Sequence, residues 1–194
     1  PTYIPNLDLA TGGIERRGLT ILAARPSMGK TALALQIARN AAEGGTRVIF
    51  YSLEMSQESL FARMACPLAG VVWRDVMSGN LKQAQKAALS EHSLALADRY
   101  RDHLYIVDGE QTMQSIWQQV GQYKPGLIVI DHLRLVSETG DNENQRLGKI
   151  ARDCKRLAKA HDVAVMVLSQ LNRGTEMRGK EDKRPQLSDL RESG

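Results

Sequence analysis

Cysteine and aromatic residues are scarce in this 194-residue sequence, which has two Cys and only 5% Phe, Trp and Tyr together. Cys66 and Cys154 lack a CxxC partner and a histidine at ligand spacing, which argues against a zinc site or a disulfide framework and leaves two small buried hydrophobes. No apolar run reaches the ~18 residues that a membrane-spanning helix requires. Pro1 to Leu9 lack the basic-then-apolar order of a secretory leader, so a cytoplasmic protein is expected. No aromatic pair stands at a spacing suited to base stacking. Any nucleic-acid contact is therefore expected to be directed at the backbone and to weaken with salt. An excess of one charge is missing as well: the net charge of +4 permits a polyanionic partner without establishing one.

What is present suits one globular domain over residues 1–194, because 42% hydrophobic residues suffice for a sizeable core. Aliphatic-rich runs recur at Leu19 to Ala24, Arg47 to Leu53, Leu104 to Val107, Leu127 to Ile130 and Val163 to Leu168. Between them, helical periodicity marks Lys30 to Ala42, Ser56 to Ala69, Leu81 to Arg99, Thr112 to Tyr123 and Gln145 to His161. That alternation predicts an α/β fold, a mostly parallel twisted sheet flanked by helices. The unbroken apolarity of the last two strands predicts burial on both faces. Pro67 is expected to kink or end its helix, since it lacks a donor and clashes with the preceding turn.

The first strand runs into Ala24-Arg25-Pro26-Ser27-Met28-Gly29-Lys30-Thr31, and a helix opens at once. Strand, loop and helix stand in the order of a phosphate-binding Walker A motif. The chemistry explains the residue types. The backbone over Arg25, Pro26, Ser27, Met28, Gly29, Lys30, Thr31 and Ala32 surrounds the phosphates, donating through its N–H groups except at Pro26, which has none, and Gly29 allows close approach. Lys30 reaches the terminal phosphates, and the Thr31 hydroxyl binds Mg²⁺. Ala24 departs from the general pattern, which asks for glycine there.

The strand Leu127 to Ile130 ends in Asp131, at the edge where parallel sheets bind ligands, and Asp131 reads as the Walker B carboxylate holding Mg²⁺ through its water shell. Hydrolysis also needs a group to activate water, and the neighbour of Asp131 is His132, not an acid. Glu54 follows the second strand and emerges at the same edge. It reads equally well as the catalytic base or as a charge favouring the dipole of the next helix. Gln170, after the fifth strand, is placed to contact the terminal phosphate and report its loss.

The phosphate loop, Ser52-Leu53-Glu54-Met55, Leu168-Ser169-Gln170-Leu171-Asn172-Arg173 and Ser188-Asp189-Leu190-Arg191-Glu192-Ser193-Gly194 together resemble the DnaB family of hexameric replicative DNA helicases, in order and in separation. The resemblance covers the chain from about Thr11, and alanine at the Ala24 position is common in that family. It implies a RecA-like P-loop NTPase core using ATP and Mg²⁺. It also implies that Glu54 is the catalytic glutamate, with Lys30 and Gln170 as its partners in catalysis, Thr31 and Asp131 as the metal site, and Arg191, Glu192 and Gly194 as the DNA-gripping residues. Single-stranded DNA, a homo-hexamer, a primase and a helicase loader are the implied partners, and 5′ to 3′ unwinding the implied activity. His132 and Arg134 depart from the tyrosine and glutamine usual after the Walker B aspartate. The family's N-terminal helical domain and linker precede such a core and its arginine finger follows it. The sequence therefore reads as a fragment, expected to be monomeric and feebly active alone.

Two basic segments remain. Asn172 to Gly194 carries six positive and five negative side chains, a composition that alone says solvated loop and that the resemblance turns into a DNA-facing element. In Gln145 to His161 the basic residues surround an apolar stripe of Leu147, Ile150, Ala151, Cys154, Leu157 and Ala158, which is expected to pack on the sheet. The basic face reads first as a solvated helix surface and only second as a nucleic-acid contact. Two alternatives to unwinding stay open: a RecA-like recombinase or clock-type ATPase, and a nucleotide-dependent binding module without turnover.

Overall fold

The computed structural model describes residues 1–137 and 143–170. Five strands form one parallel sheet: β1 (Leu19–Ala24), β2 (Val48–Ser52), β3 (Leu104–Asp108), β4 (Leu127–Asp131) and β5 (Ala164–Gln170), in the spatial order β1-β5-β4-β2-β3. The helices are α1 (Pro5–Thr11), α2 (Lys30–Glu43), α3 (Gln57–Ala65), α4 (Trp73–Met77), α5 (Gln83–Arg99), α6 (Met113–Tyr123) and α7 (Glu143–Ala160), with a 3₁₀ turn at Leu133–Leu135. No described helix is long and apolar enough to cross a membrane.

The sheet separates two core layers, and strand alternation decides which side chain enters which. Val48, Phe50, Leu127, Val129, Met166 and Leu168 face the layer shared with α2, α3 and α5. Ile49, Tyr51, Ile128, Ile130, Val165 and Val167 face the layer closed by α6 and α7. β2 and β4 are buried along their whole length, as apolar runs covered on both faces must be. Cys66 and Cys154 are buried and unpaired, and burial pushes the Cys154 thiol up to about 12. Ile150, Cys154, Leu157 and Ala158 of α7 sit fully within the second layer, as the apolar stripe predicts.

Local chemistry fixes the helix ends. Ser56 caps α3 by accepting the Ser59 N–H, and α3 ends at Ala65, before Pro67 and four residues short of the expected Ala69. Thr112 and Ser115 form a capping box at the start of α6. Periodicity does not announce the short α1 and α4. Asp8 anchors α1 by accepting from the Thr2 and Tyr3 amides and the Thr2 hydroxyl, which hold its carboxyl below its usual range. Within the second layer, Ile116→Ala should destabilise the domain by about 2–5 kcal/mol, because a fully buried side chain leaves a cavity. Equilibrium chemical denaturation measures this.

Candidate active site

The carboxyl ends of β1, β5, β4 and β2 lie side by side, and each described residue expected to carry chemistry leaves the sheet there or just beyond. After Ala24 the chain turns through exposed Pro26, Ser27, Met28 and Gly29 into α2. Ser27 and Gly29 both have positive φ, 62° and 85°, which curls the loop tightly. At Gly29 this left-handed conformation suits glycine and would strain any other residue. Gly29 is the N-cap residue of α2, and no side chain caps the helix there. The first-turn amides are thus presented to the loop, and a helix start of this kind favours an anion.

Lys30 and Thr31 open α2 and meet Asp131 from β4. The Thr31 hydroxyl donates to Asp131 Oδ2 at 2.6 Å, and Lys30 Nζ lies 3.6 Å from Oδ1, an ion pair too long for a hydrogen bond. Asp131 is 2% exposed, and its Oδ1 has no hydrogen-bond partner among the described residues. A buried carboxylate oxygen left in this way, next to a hydroxyl and an ammonium group, fits a hydrated Mg²⁺ bound together with a polyphosphate. Thr31 and Asp131 would hold that ion.

Glu54 lies two residues beyond Ser52, the register partner of Asp131, and is exposed. It stands two residues ahead of Ser56, the N-cap of α3, where its charge also lies near the positive end of that helix. Ser52 Oγ donates to Met55 O at 2.6 Å, which folds the Leu53–Met55 turn back on the strand end. Gln170 ends β5 as the register partner of Ala24, one residue from the phosphate loop, and is exposed. Arg191, Glu192 and Gly194 lie outside the described residues.

His132, in the sequence no more than a departure from the expected pattern, follows Asp131 and is half-buried. Burial pushes its pKa down, the Lys30 and Arg134 charges push the same way, and Glu54 and Asp131 oppose them. Arg146, by sequence one of the basic residues of α7's solvated face, instead donates to Val136 O at 2.9 Å and Arg134 O at 3.1 Å, pinning the turn after β4. No pattern in the sequence announces this, because the partners are backbone carbonyls.

A family model described as DnaB-like helicase C terminal domain matches residues 1–194. The chain belongs to that family. Curated members include the replicative DNA helicase DnaC of Bacillus subtilis, 38% identical over all of this chain and 44% of its own length. DnaB of Nostoc sp. is 43% identical, over all of this chain and 22% of its own length. This DnaB-family chain thus spans under half the length of the curated relatives it matches. Among solved structures, one described as an ATPase domain superposes with a TM-score of 0.84 at 33% identity, over 99% of this chain and 70% of that one. A DnaB-like replicative helicase described with its interactions with primase gives 0.84 at 34% identity, over 100% and 48%. The fold is RecA-like.

Proposed function

We propose that this DnaB-family domain is the ATP-hydrolysing motor core of a hexameric replicative helicase that unwinds DNA 5′ to 3′ in the cytoplasm. The observation that carries the reading is the meeting of Lys30, Thr31 and buried Asp131 beneath an uncapped helix start. In this scheme the backbone from Arg25 to Ala32 surrounds the phosphates of ATP. Lys30 stabilises charge on the transferring phosphoryl group, and Thr31 and Asp131 hold Mg²⁺. An ion held by Thr31 and Asp131 would supply positive charge to offset the negative charge that develops on the phosphates. Glu54 orients the attacking water and receives its proton, and Gln170 senses whether the terminal phosphate is present. An arginine from a neighbouring subunit completes the site.

Arg191, Glu192 and Gly194 are proposed to grip the backbone of single-stranded DNA, and a primase and a helicase loader are the proposed protein partners. Phosphate gripping predicts sequence-independent binding. Arg191→Ala in the full-length protein should weaken binding alike across sequences and flatten the slope of log K against log salt by about 0.7 for each phosphate that is no longer neutralised. Fluorescence anisotropy across a salt series measures it, and a change confined to one DNA sequence would count against a backbone grip.

The decisive experiment is strand displacement on a forked substrate by the full-length protein with ATP. Unwinding that needs ATP supports the motor reading. ATP turnover without displacement points to a recombinase or clock-type ATPase, and binding without turnover to a nucleotide-dependent docking module.

A further inference from the structure

Three strand ends stand abreast at the carboxyl edge of the sheet: Ser52 of β2 is the register partner of Asp131 of β4 on one side and of Asp108 of β3 on the other. Glu54 follows two residues later and is exposed, so its place is set by the turn that carries it and not by packing of its own side chain. That turn is tied at three points. The Leu53 N–H donates to Asp131 O at 2.8 Å, the buried Ser52 hydroxyl donates to Met55 O at 2.6 Å, and the Gln57 N–H donates to Asp108 Oδ2 at 2.8 Å. Glu54 lies between the first two ties. Gln57 opens α3, whose Ser56 cap serves the Ser59 N–H, so Asp108 supplies from another strand the acceptor for a first-turn amide that has no partner within the helix. Ser52 ends a strand that is otherwise Val48, Ile49, Phe50 and Tyr51, all buried. A hydroxyl enclosed there is costly unless it is bonded, and its bond goes to the turn.

We infer that Asp108 and Ser52 are positioning residues for the hydrolysis proposed above: by fixing the turn from Leu53 to Gln57 against the strand that ends in Asp131, they set where Glu54 stands relative to the phosphate seat. Asp108 acts here as a hydrogen-bond acceptor, and its charge is not required. The inference rests on the ATPase reading and on Glu54 being its base.

The test uses full-length protein, with steady-state ATP hydrolysis and binding of a fluorescent ATP analogue measured for Asp108→Ala, Asp108→Asn, Ser52→Ala, Glu54→Gln and the Glu54→Gln/Asp108→Ala double variant, each well below its melting temperature. Asp108 is exposed, so its replacement leaves no cavity and the fold should persist. Asp108→Ala and Ser52→Ala are each expected to lower kcat on the order of tenfold, as misplacement of a catalytic group does, with KM and nucleotide affinity within about twofold of wild type. Asp108→Asn keeps a carbonyl oxygen to accept the Gln57 N–H and should retain kcat within about threefold of wild type, which a purely electrostatic role of the carboxylate would not allow. In the Glu54→Gln background, Asp108→Ala should cause little further loss, because the group it positions has gone. A kcat within twofold of wild type in Asp108→Ala or Ser52→Ala overturns the inference. So does an Asp108→Asn loss as large as that of Asp108→Ala, an equal loss in both backgrounds, or a nucleotide affinity that falls in step with kcat. Absence of turnover in the wild-type protein overturns the ATPase reading instead, and undiminished turnover in Glu54→Gln overturns its base, so the failures are distinct.

Discussion

Lys30→Ala in the full-length protein is expected to lower ATP turnover at least on the order of 10²- to 10³-fold, the usual loss when one preorganised charge-stabilising group is removed. The ammonium group stands 3.6 Å from Asp131 at the opening of α2, the helix start proposed to receive the phosphates. Its removal withdraws positive charge from the place where negative charge develops during transfer. The fold should survive. Asp131 keeps the hydrogen bond from Thr31, and loss of the ionic partner of this nearly buried carboxylate should cost about 3–5 kcal/mol. That is less than the ~5–15 kcal/mol reserve of a folded domain. Circular dichroism and a thermal melt check the fold, and a coupled phosphate-release assay reads the turnover. Turnover within tenfold of wild type would show that the phosphates are seated elsewhere.

Glu54→Gln should leave nucleotide binding within about threefold of wild type and slow hydrolysis by roughly 10²- to 10⁴-fold, the range that general base catalysis contributes. Glutamine keeps the size and polarity of the side chain but cannot take the proton of water at neutral pH. Glu54 is exposed beyond the end of β2, whereas the phosphate loop follows β1 on the other side of β4 and β5, so binding and turnover are expected to separate. Single-turnover hydrolysis beside equilibrium binding distinguishes the two quantities. Undiminished hydrolysis would return Glu54 to a merely electrostatic part near α3.

Most of the framework is readable in the sequence because it depends on periodicity. Leu19–Ala24 has the expected bounds, since apolar alternation stops at Arg25 and helical spacing begins at Lys30. The break at Pro67 is visible because proline acts through its own covalent geometry, although α3 ends earlier than its apolar pattern suggests. Helices α1 and α4 escape notice for a different reason: seven and five residues are too few to repeat an amphipathic pattern. Strand order belongs to neither class, because it depends on which faces pack and not on local preference.

The site divides in the same way. Lys30 and Thr31 sit inside a motif whose spacing is set by the ligand it cradles, and Asp131 is marked by the strand it ends. Glu54 is ambiguous in sequence because a carboxylate before a helix has two physical uses. Its position two residues ahead of the Ser56 cap is compatible with both. His132 carries no signature beyond its neighbour, and its half-burial depends on how the turn after β4 packs, a relation that a linear reading does not contain.

Strand β5 is hydrogen-bonded to β1 on one flank and to β4 on the other, so it is locked between the strand that feeds the phosphate loop and the strand that carries Asp131. A strand clamped on both sides cannot slide lengthwise without breaking two ladders at once. Gln170, at the end of this strand, is therefore held against lengthwise movement, a fixed point of the sheet beside the turn that follows Ala24.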